Sequence, residues 1–503
     1  MRPLDLTVIV LYLVAMPVLG LVFGGRQRTS QDYFVGSRQL PWWAVCFSVV
    51  ATETSTLTVI SVPTLAYLGS FTYLQLAIGY LIGRIVVAFV LLPRYYAGNL
   101  VSAYAFLGQR FGGAMQGTAS VTFLITRLLA EGLRLFAAAI PVKVVLDSVR
   151  VPTEYWQIVV VLSLLTIVYT YLGGIRAVVW VDAIQMLIYL SGAIFAAAAL
   201  LGRLPTGWFE TALVHGKFKL FDFGSSIVTQ QYAFVTAVVG GAVFAMGSHG
   251  ADQLMVQRLL SCKNLRDGQR ALIGSGVVVL LQFALFTFLG TMLWGFYRGA
   301  KPSALGMASK DELFPRFVVE HLPPGVSGLL IAGILAAAMG TLASALNSLS
   351  SSTVDDLHQR VGRDRLDDAS VLKLGKLWTL VWAGVLVVFA SMFTTTNNPI
   401  VEVGLSIAGY TYGALLGAFF LGLWVKRARQ ADAVIAFLVT LLVVLYLVFG
   451  VTFPNGAGGQ SPLAFPWYTP AGVLVTLLVG GLLSLRHPKR TAEESTVEKT
   501  RAG

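Results

Sequence analysis

The chain is poor in charge and in the residues that build metal or redox chemistry. Only 12% of its 503 residues are Asp, Glu, Lys or Arg, about half the roughly 25% typical of a soluble domain. It has 2 cysteines and 5 histidines. Cys46 falls in an apolar run and Cys262 in a predicted cytoplasmic loop, which argues against a disulfide framework or a metal cluster. No His-rich metal motif, G-x-S-x-G elbow or P-loop is present, so a membrane enzyme has little to work with. No soluble domain interrupts the apolar runs, and the polar tail from His487 to Gly503 is too short for the output module of a membrane sensor. The first run starts at Leu4 without a basic leader or a following cleavage site, and so reads as an uncleaved span.

What the chain has is hydrophobic length. It is 56% hydrophobic, with a mean hydropathy of +0.75. Thirteen segments approach the roughly 20 apolar residues that a membrane helix needs. They lie near 4–24, 40–69, 72–95, 117–147, 154–173, 177–202, 231–257, 271–297, 325–354, 374–394, 399–424, 431–452 and 467–485. The net charge of +12 is a topology signal. Of 36 Lys and Arg, 23 fall in alternate loops beginning after the first span, 9 on the opposite side, and 4 (Arg84, Arg127, Arg134, Lys143) inside spans. The positive-inside rule then puts the N-terminus outside and the C-terminus in the cytoplasm. The expected setting is an integral plasma membrane of the bacterial inner-membrane type. The expected partners are lipid and a small-molecule solute, with no nucleic acid.

Two spans are interrupted. The first, 42–69, reads Ala51-Thr52-Glu53-Thr54-Ser55-Thr56 at its middle, with Pro63 downstream. In the second, 231–257, Gly240-Gly241 and then Gly247-Ser248-His249-Gly250-Ala251-Asp252-Gln253 break an apolar run. Unwound backbone at membrane depth survives only where protein or a watery cavity satisfies it. Two broken spans at matching positions in two halves point to an inverted-repeat transporter. Their offset of five spans inverts the second half, as such a repeat requires.

Four stretches carry a family resemblance: DYFVGSRQLPWW ahead of the first broken span, GGIRAVVWVDAIQ at 173–185, ADQLMVQRLL at 251–260, and LLIAGILAAAMGTLASALNSLSSSTVDDL at 329–357. In this order and spacing the chain resembles the sodium:solute symporters, relatives of the sodium/glucose cotransporters. The resemblance implies an all-α membrane protein with the LeuT-like fold: two five-helix inverted repeats, at 40–202 and 231–424. Flanking them would be a first helix and linker (1–39), an extracellular loop (203–230), two C-terminal helices (425–486) and a cytoplasmic tail (487–503). It also implies sodium-driven uptake by alternating access, with no organic cofactor.

Sodium prefers oxygen ligands. By resemblance its carbonyl ligands are those of Ala51, Thr54 and Ala337, with hydroxyls from the ninth span. The family commonly shows two adjacent hydroxyl residues there; this chain has Gly340-Thr341. Thr341 fits, and Gly340 removes a ligand that a carbonyl, a water or Ser344 would have to replace. Asp182 is placed on the cytoplasmic exit path of the cation, or else pairs with Arg176 at the membrane surface.

The expected solute site gathers Glu53, Ser55, Thr58, Arg84, Asp252 and Gln253. For Glu53 three readings stay open: a structural pair with Arg84, release of Arg84 to clamp a solute carboxylate, or a proton or cation site. The last makes a proton-coupled carrier the alternative to a sodium symporter. Arg127, Glu131 and Arg134, on one helical face, read as an ion-pair lattice. Asp252 and Gln253 contact solute or cap exposed helix ends, His249 is a hydrogen-bonding residue, and Glu402 and Tyr412 are further candidates. The sugar-site pattern is poorly kept, with Leu81, Leu254 and Val401 where polar residues are expected. The substrate is therefore read only as a small polar organic solute.

Overall fold

The computed structural model describes residues 2–24, 33–34, 38–98, 100, 102–307, 309–358, 367–393, 400–455 and 458–488. The polar tail from 489, the loop positions 359–366, and Arg26 and Arg28 lie outside the described residues. Helix covers each of the thirteen predicted segments. In chain order the principal helices are α1 (Pro3–Gly24), α2 (Trp42–Glu53), α3 (Thr56–Leu68), α4 (Leu74–Val90) and α5 (Gly113–Ser148). Then come α6 (Tyr155–Leu201), α7 (Gly241–Gly250), α8 (Gln253–Leu259), α9 (Leu265–Phe296) and α10 (Val326–Ser352). The chain ends with α11 (Asp368–Ala390), α12 (Ile400–Trp424), α13 (Gln430–Phe449) and α14 (Tyr468–Ser484). The only strands among the described residues form a small antiparallel hairpin, β1 (Thr452–Pro454) with β2 (Gln460–Pro462).

Among the described residues, nine helices are long and apolar enough to cross a membrane, or ten when α2 and α3 count as one bent span. The other predicted segments, α5, the first part of α6, and α7 with α8, are helical but shorter in apolar length or richer in polar groups. α6 bends at Gly174, whose φ of 56° lies in the left-handed region. A Cβ there would lie 2.8 Å from the Tyr33 carbonyl oxygen, so only glycine meets both demands.

The helices differ sharply in how deeply they sit. The apolar stretch of α10 is 94% buried, against 28% for those of α1 and α11. α10 is therefore the core helix, and α1 and α11 stand at the periphery. Close packing relies on glycines. A Cβ on Gly83 of α4 would fall 2.1 Å from the Ala242 carbonyl of α7, and one on Gly290 of α9 would fall 2.1 Å from the Pro63 carbonyl of α3. The head of α10 is capped from the far end of the sequence. Asp5 of α1 accepts hydrogen bonds from the Gly325 N–H (2.7 Å), the Ser327 hydroxyl (2.6 Å) and the Gly328 N–H (3.0 Å). This satisfies donors that a helix N-terminus otherwise leaves bare.

Two loops, between α6 and α7 and between α9 and α10, carry the short helices Trp208–Val214 and Leu313–His321. In the first loop, Lys217 donates to the carbonyls of Tyr67 (2.7 Å) and Gly69 (2.9 Å) at the C-terminal end of α3. Its ammonium also sits 5.1 Å from the centre of the Trp294 ring.

Candidate functional site

The first interruption is a true break. α2 and α3 meet at 62°, with Thr54 at φ −80°, ψ 73° and Ser55 at φ −74°, ψ 172°. Side chains that compete with the backbone favour this. Thr54 Oγ1 exchanges hydrogen bonds with the Gln282 amide (2.8 and 3.1 Å), and the Thr58 hydroxyl donates to the Glu53 carbonyl at 3.4 Å. The break frees particular carbonyls. A continuous helix would send the Ser55 N–H to Ala51 and the Thr58 N–H to Thr54. Here they go instead to the carbonyls of Glu53 (2.9 Å) and Ser55 (2.9 Å). The Ala51 and Thr54 carbonyls, the two expected to face a cation, are thus among those that lose their helical donor.

This break lies along α10. Thr56 donates to the Ile334 carbonyl at 3.1 Å. One turn before the break, Ser48 donates to Asp182 Oδ2 at 2.9 Å, and Ser344 donates to the same oxygen at 3.4 Å. These contacts fix α2 and α3 antiparallel to α10, with 51–54 between Ser48 and Thr56 and 337–341 between Ile334 and Ser344. The Thr341 hydroxyl donates to the carbonyls of Ala337 and Ala338, both at 3.0 Å. At Gly340 a side chain would collide: a Cβ would lie 2.5 Å from Gln185 Oε1 and 2.7 Å from Asp182 Oδ1. Side-chain oxygens of α6 occupy the space of the missing hydroxyl residue. Ser344 is engaged with Asp182 and with Arg258.

Arg258 overturns one expectation. It follows the seventh predicted span, 231–257, and so falls among the 23 charges of the alternate loops, yet it is fully buried at the end of α8. Its guanidinium donates to Asp182 (3.4 Å), Ser48 (3.1 Å), the Leu254 carbonyl (2.7 Å) and Ser344. Asp182 is buried and pairs with Arg258. Among the described residues it makes no ion pair with Arg176.

The second interruption falls at Ala251–Asp252, between α7 and α8. Asp252 is the N-cap of α8, accepting from the Leu254 N–H at 2.9 Å. Its other oxygen is held by Arg127 and by the Tyr412 hydroxyl (2.8 Å). Arg127 also bonds Glu131 Oε1 at 2.9 Å, an oxygen shared with Arg134 at 3.0 Å. Gln253 is buried and accepts from the Ala103 N–H at 2.8 Å. Neither Asp252 nor Gln253 lines the cavity between the breaks.

That cavity has a volume of about 60 Å³ and is lined from both interruptions, by Glu53, Ser55 and Thr58 on one side and Ser248 and His249 on the other. It exceeds severalfold the roughly 10–15 Å³ that one water needs. Tyr73, Tyr80, Phe244, Phe283 and Tyr412 form its aromatic wall, and Arg127 and Arg134 enter from α5. Glu53 is paired with Arg84, which also donates to Ser275 at 2.9 Å, and His249 Nε2 lies 3.8 Å from the same carboxylate. Arg84 is fully buried behind Glu53 and does not line the cavity. Arg134 does line it, with its side chain 22% exposed. Glu402 sits in the first turn of α12, accepting from Gln231 (2.5 Å) and Tyr232 (2.8 Å).

Broken helices crossing beside such a cavity belong to known transport folds, and comparison places the chain among them. It superposes with TM-score 0.85 on the substrate-bound outward-open structure of a Na+-coupled sialic acid symporter, at 26% identity over 97% of this chain and 99% of that one. It is similar in fold alone to the nucleobase-cation-symport-1 transporter Mhp1, with TM-score 0.60 and 14% identity over 93% and 98% of the two chains. In sequence it is 29% identical over 486 residues to the sodium/sialic acid symporter SiaT of Proteus mirabilis, covering 93% of this chain and 92% of that protein. It is 26% identical over 488 residues to the human sodium/iodide cotransporter, covering 95% and 74%. The model of the sodium:solute symporter family matches residues 33–440, and the chain, an all-α membrane protein of LeuT-like fold, belongs to that family.

Proposed function

We propose that the protein is a sodium-driven symporter of a small organic anion, with a carboxylate as the charged group. The observation that carries this reading is a balance of buried charge. Around the two breaks stand four arginines, Arg84, Arg127, Arg134 and Arg258, and four carboxylates, Glu53, Glu131, Asp182 and Asp252, joined by ion pairs. Adding a cation alone, or an anion alone, leaves an uncompensated charge in a low-dielectric interior, where such charges are costly. Adding both restores neutrality. Each ligand then favours the other, which is the coupling a symporter needs.

The cation is assigned to the Ala51, Thr54 and Ala337 carbonyls and the Thr341 hydroxyl, with Asp182 next along α6. At Gly340 the Asp182 and Gln185 oxygens stand in for the absent ligand. The solute is assigned to the cavity. Its carboxylate docks on Arg134, which makes one hydrogen bond among the described residues and keeps further guanidinium donors for a planar partner. Ser55, Thr58, Ser248 and His249 complete the polar lining. Asp252 and Gln253 act behind the wall, shaping the second break. The relatives named for sialic acid, iodide and monocarboxylates carry anions, in keeping with this choice. Glu53, already paired with Arg84, fits a wall of the site better than a proton carrier.

The test is uptake of a panel of carboxylates, sugars and amino acids into proteoliposomes holding the purified protein. Anionic solutes should accumulate with inward sodium, and replacing sodium with choline at fixed pH should abolish it. Arg134→Gln should weaken the anion by about tenfold or more while sodium binding persists. Uptake that survives in choline and follows the pH gradient rejects sodium coupling; accumulation of neutral solutes only rejects the anion.

A further inference from the structure

Far from the transport site, the C-terminal end of α12 and the last turns of α14 frame an open groove of about 730 Å³. Its walls are apolar: Trp424, Leu478, Leu482 and Leu485 are each at least 60% exposed. Its floor is Gly481, where a Cβ would meet nothing within 4 Å. Trp424 is held against Phe420, the rings stacked at 4.3 Å. Tryptophan at a helix end in this position marks the membrane–water boundary.

One end of the groove is basic. Lys426 and Arg427, in the turn between α12 and α13, line it. The turn itself is fixed from behind by Arg110, whose guanidinium donates to the carbonyls of Gly422 (3.0 Å), Val425 (3.0 Å), Lys426 (3.1 Å) and Ala428 (3.2 Å). With its carbonyls so occupied, the turn presents its two cationic side chains to the groove. Among the described residues no carboxylate lies within 4.0 Å of either cation. The neighbouring Asp432 is taken by the Arg429 N–H (2.8 Å) and His487 (3.2 Å).

We infer that this groove binds an anionic phospholipid of the cytoplasmic leaflet. An acyl chain would lie over Gly481 between Leu478 and Leu482, and the headgroup phosphate on Lys426 and Arg427. The argument is charge complementarity at the depth where a headgroup sits. Two cations with no carboxylate partner among the described residues crown an apolar channel, on the side that the basic loops assign to the cytoplasm. Basic pockets between membrane helices on that side are suited to phosphorylated headgroups. The inference is independent of the transported solute.

The experiment compares the full-length protein in nanodiscs of phosphatidylglycerol and of phosphatidylcholine with the same acyl chains. It reads thermal stability and, by native mass spectrometry, the lipid retained on release. The expected result is retained phosphatidylglycerol and a higher unfolding temperature, with about a tenfold preference over phosphatidylcholine. The preference should be lost in K426Q/R427Q, which removes the charge. It should also be lost in Gly481→Leu, which fills the channel where there is open space and leaves the charge intact. Equal retention of the two lipids overturns the proposal, as does a preference unchanged in both variants. So does a full stabilisation by inorganic phosphate alone, or a groove occupied by a second copy of the chain, seen as a dimer that both variants dissolve.

Discussion

The two interruptions solve the same problem in opposite ways. At Thr54–Ser55 the chain bends by 62° and its N–H groups fold back locally, so the Ala51 and Thr54 carbonyls are left to an outside partner. At Ala251–Asp252 a side chain closes the gap: Asp252 caps α8 and is itself tied to Arg127 and Tyr412. The first break offers backbone oxygen, which suits a hard cation. The second organises charged side chains that carry over to α5, where Arg134 meets the cavity. In the function proposed here, an ion is held by what a helix loses on breaking, and a solute by what surrounds a helix that has been repaired.

The contrast can be tested from its strongest consequence downward. Asp252→Ala removes both cap and counter-charge and leaves Arg127 without one of its partners in a buried site. A loss of about 3–5 kcal/mol is expected, visible as a large drop in unfolding temperature, with Asp252→Asn intermediate because it keeps the cap. Gly340→Ser, which restores the family's hydroxyl, should weaken sodium binding, because its Cβ meets the Asp182 and Gln185 oxygens. Overpacking of this kind costs about 1–3 kcal/mol. Improved sodium affinity in that variant would refute the account of the notch.

Smaller still, Thr341→Ala should lower sodium affinity by about tenfold, with stability in sodium-free buffer little changed. The companion Thr54→Val loses the Gln282 bond, worth about 1 kcal/mol, yet keeps the carbonyl. Its sodium titration should match the parent, and a weakened titration would mean that the side chain, not the backbone, holds the ion. The smallest effect is in the loop between α6 and α7. Burial pushes the Lys217 ammonium down from its ordinary 10.5 to about 8. The folded chain then holds fewer protons than the unfolded one between those values. Stability should therefore rise as pH climbs from about 8 to 10.5, and Lys217→Met should flatten that rise in a pH series of thermal melts.

Much of this arrangement is legible in the sequence because polar residues are conspicuous in apolar runs. Both breaks fall within the stretches marked by Glu53 with its hydroxyls and by His249 to Gln253, and the lattice of Arg127, Glu131 and Arg134 follows from helical spacing. Two residues escaped. Arg258 stands at the end of an interrupted span, where charge normally signals a loop; only its closeness in sequence to Asp252 and Gln253, at the head of the same short helix, hinted at an inward face. Gln185 is one amide in a long apolar helix, and its signal is that it lies three residues after Asp182, on the same face. At Gly340 the sequence shows a missing ligand but not the space, which is set by how closely α6 approaches α10. That distance is a property of packing between segments more than 150 residues apart.

The clasp between Asp5 and the head of α10 links residues 320 and more positions apart. The helix bearing Thr341 is thus steadied by α1. Trimming that opening segment would strip three donors of their acceptor in a single stroke. An N-terminal deletion that leaves every ligand intact should still slacken the grip on sodium.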